Sequence, residues 1–321
     1  FFFKQKTAYE IPKRDWSSDV CSSDLVSQVI QLRRISKTID IVHAHLPRAE
    51  ILTMFSMLFS RKAFFVSRHN AEPFWPNGNR IVSRLLSRLV LYKAKSVIAI
   101  SETVKHFLYE SNEVSRKMNL QVVYYSVDSV FEERIFQSQE RPESYDGEHL
   151  HILCIARLVK QKDHQTLFLA IAHLLKSGRK VKLHLIGAGD LEFQLRAFSK
   201  ELMIADNVIW HGRQSNVIPF LKYSDLFVIS SLYEGFGLVL LEAMAVGVPI
   251  VSSAFPTAVE ILGSDYLGLF SVRDYKLLAD IIRKFLDEPS LRNHSIINYK
   301  NRLKRFSKEQ MVLNVHRIYE L

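Results

Sequence analysis

The sequence alternates short runs of β-branched and aromatic residues with longer amphipathic segments. This alternation predicts parallel β-strands connected by helical crossovers. Four candidate strands precede a polar stretch at 137–148, and six follow it. The predicted strands are 40–44, 63–67, 96–100, 121–125, 150–156, 181–187, 208–210, 226–230, 249–251 and 267–270. Ser101 is the predicted N-cap of a helix. We therefore expect an α/β protein of two lobes, with the polar stretch as their linker.

Residues 1–25, FFFKQKTAYEIPKRDWSSDVCSSDL, do not fit this pattern. They have neither helical nor strand periodicity, and they lack the continuous apolar centre of a signal peptide. The SSDVCSSDL end resembles translated sequencing-adapter read-through, so we interpret the segment as an artefact and expect the chain to be truncated at its N-terminus. The remaining predictions are a partial N-terminal lobe at 26–140, a C-terminal lobe at 141–300 and a basic C-terminal helix at 301–321.

The charge balance points to an anionic partner. Lys and Arg number 43 against 33 Asp and Glu, a net charge of +10, which suits nucleic acid, lipid headgroups or a phosphorylated substrate. No recognised nucleic-acid motif accompanies the charge, so nucleic acid is not expected. The apolar run at 51–60 is far shorter than the roughly 20 residues of a membrane span. Cys154, alone in the run HILCIA, predicts an inert core thiol and a reducing cytoplasmic setting.

The sharpest motif is SSLYEGFGLVLLEAMAVGVPIV at 230–251, which follows a predicted strand. Gly235 and Gly237 open a helix whose free N–H groups favour a phosphate or a developing oxyanion. Glu234 and Glu242 are eight positions apart, just over two helical turns, so they can contact different parts of one extended ligand. An ordinary helix entry with a capping Glu is the alternative, because a lone GxG is common by chance.

The E-x7-E spacing in EGFGLVLLEA resembles that of the retaining nucleotide-sugar glycosyltransferases of family 4, also called group 1. Further segments match in the family's order: IVHAHLP, AKSVIAISETVKHFL, IARLVKQKD and LIGAGD. The resemblance implies a GT-B fold, in which two Rossmann-like lobes face one another across a cleft. It makes 26–140 an incomplete acceptor-side lobe and 141–300 the lobe that binds the nucleotide sugar.

The resemblance also implies roles for single residues. Arg157 and Lys162 match the pair that grips the donor diphosphate, whose negative charge grows as the glycosidic bond breaks. Two solvated cations beside a strand end are the alternative. Glu242 matches the carboxylate that accepts hydrogen bonds from the ribose, and Glu234 the one that faces the transferred sugar.

Several backbone positions complete the implied donor site. The backbone N–H groups around Phe236, Gly237 and Leu238 should meet sugar hydroxyls or phosphate. Gly187 and Gly189 should keep a strand-to-helix turn tight near the cleft. These five residues are therefore expected to bind the donor through main-chain geometry.

His69, in VSRHNAEP, matches the histidine that the family directs at the donor sugar. A structural or exposed histidine is an equally good interpretation, because His43, His45 and His106 show how common the residue is here. The sequence has no D-x-D motif and no Cys/His cluster with zinc spacing, so we expect no catalytic metal and no cofactor besides the nucleotide-sugar donor.

The resemblance predicts a retaining glycosyltransferase. It would move a hexose-type sugar from a UDP- or GDP-linked donor to a glycan or lipid-linked acceptor in surface polysaccharide or glycolipid synthesis. Two alternatives stay open: a non-catalytic, membrane-associated partner subunit, and an epimerase or phosphorylase with the GT-B fold. The expected truncation would remove a Gly-rich loop that helps close the family's active site, and could leave this chain inactive.

A basic stripe recurs in NRIVSRLLSRLVLYKAK, where Arg80, Arg84 and Arg88 are four residues apart. The apolar positions on the rest of this helix are Ile81, Val82, Leu85, Leu86, Leu89 and Val90. One interpretation packs the apolar face on the core and leaves the arginines in water. The other docks the helix on anionic lipid at the inner face of the cell membrane, at about 1 kcal/mol per cation. A second basic cluster could extend the patch: Lys300, Arg302, Lys304, Arg305 and Lys308.

Overall fold

The computed structural model describes residues 22–60, 62–75, 78–138 and 140–320, which form two compact units. The four-stranded unit contains the described residues up to Tyr125 together with those from Glu309 onward. The six-stranded unit runs from Ser126 to Lys308. Of the segment predicted to be an artefact, residues 1–21 lie outside the described part. Residues 22–25 begin a helix, although their sequence has no helical periodicity.

The four-stranded unit has a parallel sheet in the order β1-β2-β3-β4. Its strands are β1 (Ile41–His45), β2 (Ala63–Arg68), β3 (Ser96–Ala99) and β4 (Leu120–Val122). Its helices are α1 (Ser22–Ser36), α2 (Pro47–Ser56), α3 (Arg80–Tyr92), α4 (Glu102–Glu110) and the last helix, α13 (Lys308–Glu320). Ile318 of α13 packs with Phe65 of β2, Ile98 of β3 and Val123, which directly follows β4. The end of the chain therefore completes the core of this unit.

The six-stranded unit also has a parallel sheet, in the order β10-β9-β8-β5-β6-β7. Its strands are β5 (Leu150–Ile155), β6 (Val181–Ile186), β7 (Val208–Gly212), β8 (Leu226–Ile229), β9 (Ile250–Ser253) and β10 (Leu269–Phe270). The chain runs outward from β5 to β7 and then returns, placing β8 on the other side of β5. The strand order thus reverses between β5 and β8, and ligands of open α/β sheets bind at the carboxyl ends of the strands at such a point.

Eight helices surround this sheet in the described residues. They are α5 (Ser129–Gln137), α6 (His164–Lys176), α7 (Glu192–Glu201), α8 (Ile218–Tyr223), α9 (Leu238–Val246), α10 (Pro256–Leu262), α11 (Tyr275–Asp287) and α12 (Pro289–Leu303). The main core joins Phe168 of α6 and Ile282 and Phe285 of α11 to the strands. Burial of these apolar side chains is the main stabilising contribution of the unit.

All ten predicted strands are present, with ends that shift by a few residues. The predicted cap is confirmed, because the Ser101 Oγ accepts a hydrogen bond from the Val104 N–H at 3.1 Å. The unit boundary at Ser126 lies earlier than the predicted end of the N-terminal lobe at 140, since α5 packs against α9.

The last residues also differ from the single basic helix predicted at 301–321. α12 ends at Leu303, a 3-10 turn covers Lys304–Phe306, and α13 begins at Lys308. Ser307, between them, has extended backbone angles and ends the helical run. No helix in the described ranges combines the length and the apolarity that crossing a membrane requires.

Candidate functional site

The loops that follow β5 and β8 meet where the strand order reverses. β5 and β8 are hydrogen-bonded neighbours, with Ile152 opposite Leu226. The Leu232 N–H donates to the Gln161 carbonyl at 2.8 Å, and the Gln161 Nε2 donates to the Tyr233 carbonyl at 2.8 Å. Main-chain and side-chain bonds therefore join the two loops into one surface at the carboxyl ends of the strands.

The turn between β5 and α6 is held from the β8 side. The Ser230 Oγ lies 3.0 Å from the carbonyl oxygens of both Lys162 and Asp163, and it donates to this pair. Asp163 has a left-handed backbone, with φ of 44°, and its Oδ2 accepts from the Thr166 Oγ1 at 2.7 Å. A non-glycine residue in this region is strained, and it stays there only where its surroundings hold it. The 3-10 turn Lys160–Lys162 is thus fixed relative to β8.

Lys162 and Glu234 form an ion pair between these two loops. Their side chains are only 7% and 10% exposed. The Glu234 Oε1 also accepts from the Ser231 Oγ at 2.7 Å, and the Glu234 carbonyl accepts from the Thr257 Oγ1 at 3.1 Å. Because an unpaired charge at this depth would be costly, each residue keeps the other in the site. The structure therefore brings Lys162, predicted to bind the donor diphosphate, into direct contact with Glu234, predicted to face the transferred sugar.

The helix predicted within the motif begins at Leu238, after Gly237 in a left-handed conformation with φ of 89°. Glu234 consequently lies in the preceding loop, so the spacing of two helical turns expected between Glu234 and Glu242 is wrong. Glu242 is buried inside α9. The Phe236 side chain is also buried and packs edge-on against Phe306, with ring centroids 5.9 Å apart. Phe236 can therefore offer a ligand its backbone, not its ring.

Gly187 and Gly189 pack against the backbone that carries Arg157. A Cβ added at Gly187 would lie 1.9 Å from the Ala156 oxygen, and one at Gly189 would lie 2.3 Å from the Leu158 oxygen. Real Cβ atoms do not approach that closely, so only glycine permits this contact. Arg157 itself is exposed at the end of β5. The two glycines thus act on the loop that presents Arg157 and Lys162.

His69 lies in the four-stranded unit, just after β2. Its Nε2 is 3.0 Å from the His45 Nδ1, and its Nδ1 hydrogen-bonds the Tyr125 hydroxyl. Burial, followed by the charges of His45 and Arg68, lowers the pKa of His69 to about 4, so the ring is neutral at physiological pH. A neutral imidazole has one donor and one acceptor nitrogen. Both are engaged within this unit, and contact with a sugar would require His69 to give up one bond.

His43, on the same strand as His45, extends this cluster of histidines. The His43 Nδ1 is 2.6 Å from the Tyr319 hydroxyl, and its Nε2 is 2.8 Å from the Ser67 Oγ. Burial, followed by the charges of His45 and His69, lowers the pKa of His43 to about 3. His43 and His45 of β1 and His69 after β2 therefore form a row of neutral rings.

Sequence reasoning missed three partners of the predicted residues. Ser231 and Thr257 bind Glu234, and Tyr125 binds His69. Ser231 lies inside the quoted motif, directly after a strand and before the glycines, and that position was the available signal. Thr257 and Tyr125 gave none, because their contacts join distant parts of the chain. Within the described ranges, no three His, Cys, Asp or Glu side chains gather in a way that could hold a metal ion.

Comparison with known protein families gives two matches. Residues 136–302 match the family described as glycosyl transferases group 1. Residues 5–130 match glycosyltransferase family 4. The second match begins inside the segment at 1–25, whose interpretation as an artefact stays a prediction.

Among similar proteins is a Campylobacter jejuni enzyme named N-acetylgalactosamine-N,N'-diacetylbacillosaminyl-diphospho-undecaprenol 4-alpha-N-acetylgalactosaminyltransferase. It is 25% identical over 94% of this chain and 86% of its own length. The alpha-monoglucosyldiacylglycerol synthase of Streptococcus pneumoniae is 25% identical over 74% of this chain and 54% of its own length. Among solved structures, Anabaena HepE in complex with UDP and glucose superimposes with a TM-score of 0.76, at 18% identity, over 90% of this chain and 80% of HepE.

Proposed function

The chain belongs to the group 1 glycosyl transferases and is a glycosyltransferase with the GT-B fold, and on this premise we propose its reaction. It transfers a hexose-type sugar, with retention at the anomeric carbon, from a UDP- or GDP-linked donor to a glycan or lipid-linked acceptor. This step belongs to surface polysaccharide or glycolipid synthesis. The observation that carries the proposal is the ion pair of Lys162 and Glu234 at the reversal of strand order.

The donor diphosphate would lie against the loop after β5. An ammonium group has three donors, so Lys162 can bind a phosphate oxygen while it still contacts Glu234. Arg157 adds an exposed cation from the same loop, and the start of α9 adds the positive end of a helix dipole. These groups would stabilise the charge that appears on the diphosphate as the bond to the sugar breaks.

The two carboxylates would bind the hydroxyl groups of the donor. Glu234, held by Lys162 and by the Ser231 Oγ, would accept from the transferred sugar. Glu242 would accept from the ribose. HepE was solved with UDP and glucose, which supports a uridine donor as the first to test.

Retention would follow from attack on the face that the leaving group occupies. The acceptor oxygen forms its bond to the anomeric carbon as the bond to the diphosphate oxygen breaks, and that phosphate oxygen takes the proton of the acceptor. Glu234 is already engaged by a cation and a hydroxyl. We therefore give it a positioning role and do not propose the covalent intermediate of retaining glycosidases.

The names of two relatives support a lipid-linked acceptor. The Campylobacter jejuni enzyme is named for a diphospho-undecaprenol acceptor, and the Streptococcus pneumoniae enzyme for a diacylglycerol product. Each name describes its own protein. Here they select the acceptors that a test should include, alongside free glycans.

The test is a transfer assay with a panel of UDP- and GDP-sugars, comparing the wild type with Lys162→Gln and Glu234→Gln. We expect each variant to lose about 100-fold in kcat, because electrostatic contacts of this kind are typically worth that much. Lys160→Gln, in the same 3-10 turn, and Glu201→Gln, an exposed carboxylate at the end of α7, are matched controls and should retain activity. Circular dichroism checks the folding of each variant. If Lys162→Gln unfolds, Lys162→Arg is tested instead, because it keeps the positive charge.

Three results would contradict the proposal. The first is that the wild type neither binds nor hydrolyses any of the donors. Isomerised sugar nucleotide, or dependence on inorganic phosphate, would identify an epimerase or a phosphorylase. Full activity in Glu234→Gln would show that this site takes no part in the reaction. NMR of the product's anomeric proton tests retention separately.

The predicted role of His69 is tested by His69→Gln, which can still bond through its amide. A drop in kcat with unchanged folding and KM would support a contact with the donor sugar. A purely structural His69 would instead lower stability and leave the kcat of the folded fraction intact.

A further inference from the structure

Helix α3 has its amphipathic faces in an unexpected orientation. Its buried residues are Ser83, Ser87, Val90 and Leu91. The aliphatic residues predicted to face the core are instead largely in water: Ile81 is 66% exposed, Leu85 60% and Leu89 56%. Tyr92, at the end of the helix, is 80% exposed. The interpretation that packed this apolar face on the core is therefore wrong.

Polar contacts fix this orientation. The Ser87 Oγ accepts from the Arg68 Nη2 at 3.0 Å, and the Ser83 Oγ accepts from the Trp75 N–H at 2.9 Å. Arg68 also pairs with the buried carboxylates of Glu50 and Glu113. If α3 turned its aliphatic face inward, Arg68 and the Trp75 N–H would lose these partners without water to replace them. The exposed face is thus a stable feature of the unit.

The exposed face carries charge of one sign. Residues 73–101 contain no Asp or Glu, while α3 and the residues that follow it contain Arg80, Arg84, Arg88, Lys93 and Lys95. The Arg84 Nε donates to the Ser111 carbonyl at 2.9 Å, and the Arg88 Nε donates to the Asn112 carbonyl at 2.7 Å. These bonds at the end of α4 hold both guanidinium groups beside the aliphatic face.

We propose that α3 docks the protein on an anionic lipid surface. The helix would lie in the plane of the interface, with Ile81, Leu85 and Leu89 among the acyl chains and the arginines at the lipid phosphates. The surface is about 20 Å long, at about 1.5 Å per helical residue. This inference concerns a different surface from the candidate active site, and it does not depend on the identity of donor or acceptor.

Two other occupants fit the same face less well. Nucleic acid would use the cations but leave the aliphatic side chains in water. A second copy of the chain, paired about a two-fold axis, would bring two copies of the same positively charged face together, and residues 73–101 contain no Asp or Glu to neutralise them. A bilayer containing anionic lipid supplies both the apolar phase and the negative charge.

The experiment is flotation of the whole protein with vesicles of phosphatidylcholine alone and of phosphatidylcholine mixed with phosphatidylglycerol. The wild type should float with the mixed vesicles only. In the charge variant Arg80→Gln/Arg84→Gln/Arg88→Gln, glutamine can still donate to the carbonyls of Ser111 and Asn112. Each lost cation should weaken binding about fivefold.

The apolar variant is Ile81→Ser/Leu85→Ser/Leu89→Ser. It keeps every cation, and we expect it to weaken binding at least tenfold, because aliphatic burial no longer adds to the attraction. Matched controls use exposed residues of the six-stranded unit: Phe193→Ser/Leu267→Ser/Ile297→Ser for the apolar change, and Lys200→Gln/Lys276→Gln/Lys284→Gln for charge. The control variants should float like the wild type.

Vesicle binding that survives both α3 variants, or that falls equally in the controls, would overturn the inference. So would an apolar variant that changes a dimer to a monomer in sedimentation while it still floats, because the face would then bind a second copy. Donor hydrolysis without vesicles should persist in the α3 variants. A protein that floats but hydrolyses no donor would contradict the proposed function and leave this inference standing.

Discussion

Helices α3 and α11 have the same length, thirteen residues each, and both sequences are amphipathic. α11 buries Leu278, Ile282 and Phe285, whereas α3 buries two serines and exposes most of its aliphatic residues. The apolar period of a sequence therefore defines the two faces of a helix but does not decide which face turns inward. The polarity of the surface beneath the helix determines which face is buried.

The surfaces beneath these helices differ in polarity. α11 covers an apolar core that includes Phe168 of α6. α3 covers Arg68, whose Nη2 lies 2.9 Å from the Glu50 Oε2 and whose Nη1 lies 3.2 Å from the Glu113 Oε2. One cation serves two buried carboxylates, and desolvation outweighs the attraction of Arg68, so burial raises the pKa of Glu50 to about 7. A serine face fits this network better than leucine would.

The largest expected effect lies on α11. Phe285→Ala should lower the free energy of unfolding by about 3–5 kcal/mol, because it leaves a cavity in a closely packed core. Urea unfolding measures the loss, and Lys284→Ala, the exposed neighbour, should change it by less than about 0.5 kcal/mol. A loss below about 1 kcal/mol in Phe285→Ala would contradict the contrast between the helices.

A second test probes the network beneath α3. The carboxyl of Glu50 has a pKa of about 7 in the folded protein, against an ordinary value of 4.5. Between these pH values the unfolded chain releases a proton that the folded protein retains, so stability falls as pH rises from 4.5 to 7. Glu50→Gln cannot ionise, and between pH 4.5 and 8 it should gain about 3 kcal/mol relative to the wild type. Urea unfolding at both pH values measures this gain. A constant difference between the two proteins would show that burial does not raise the pKa of Glu50.

A smaller effect is expected from the serine face of α3. Ser87→Ala removes an acceptor from the buried Arg68 and should cost about 1–3 kcal/mol, even though alanine favours the helix. The exposed helical Ser290 gives the control, and Ser290→Ala should be close to neutral. Thermal unfolding of both variants provides the comparison. Equal midpoints of thermal unfolding in the two variants would show that the hydrogen bond from Arg68 to Ser87 does not stabilise the protein.

The smallest effect should come from the aliphatic face of α3. Leu85→Ala and Leu89→Ala should each change the free energy of unfolding by less than about 0.5 kcal/mol, because their side chains are already in water. The same substitution in the core typically costs about 2–5 kcal/mol. A core-sized loss at either position would show that this face is packed in solution.

Features that depend on local signals could be predicted from the sequence. All ten strands were found, because β-branched runs between turn residues are local patterns, and Ser101 was recognised from its place before a helix. Features that depend on distant contacts could not. The boundary at Ser126 follows from the packing of α5 on α9, and the facing of α3 follows from the charges under it.

The candidate site shows the same division. The residue types were identified from motif and resemblance, but the contact between Lys162 and Glu234 joins residues 72 positions apart. It arises because the strand order places β8 beside β5. Similarly, nothing in the sequence indicated that Tyr125 and His45 would engage both nitrogens of His69.

The ion pair of Lys162 and Glu234 has a consequence for the protein at rest in a cell. A carboxylate tethered beside an ammonium acts at an effective concentration that free inorganic ions do not easily match. Chloride or another small monovalent anion would have to displace this built-in counter-ion to bind Lys162. A ligand with several anionic oxygens and hydroxyl groups can satisfy both partners together, so the ion pair discriminates against ordinary electrolytes.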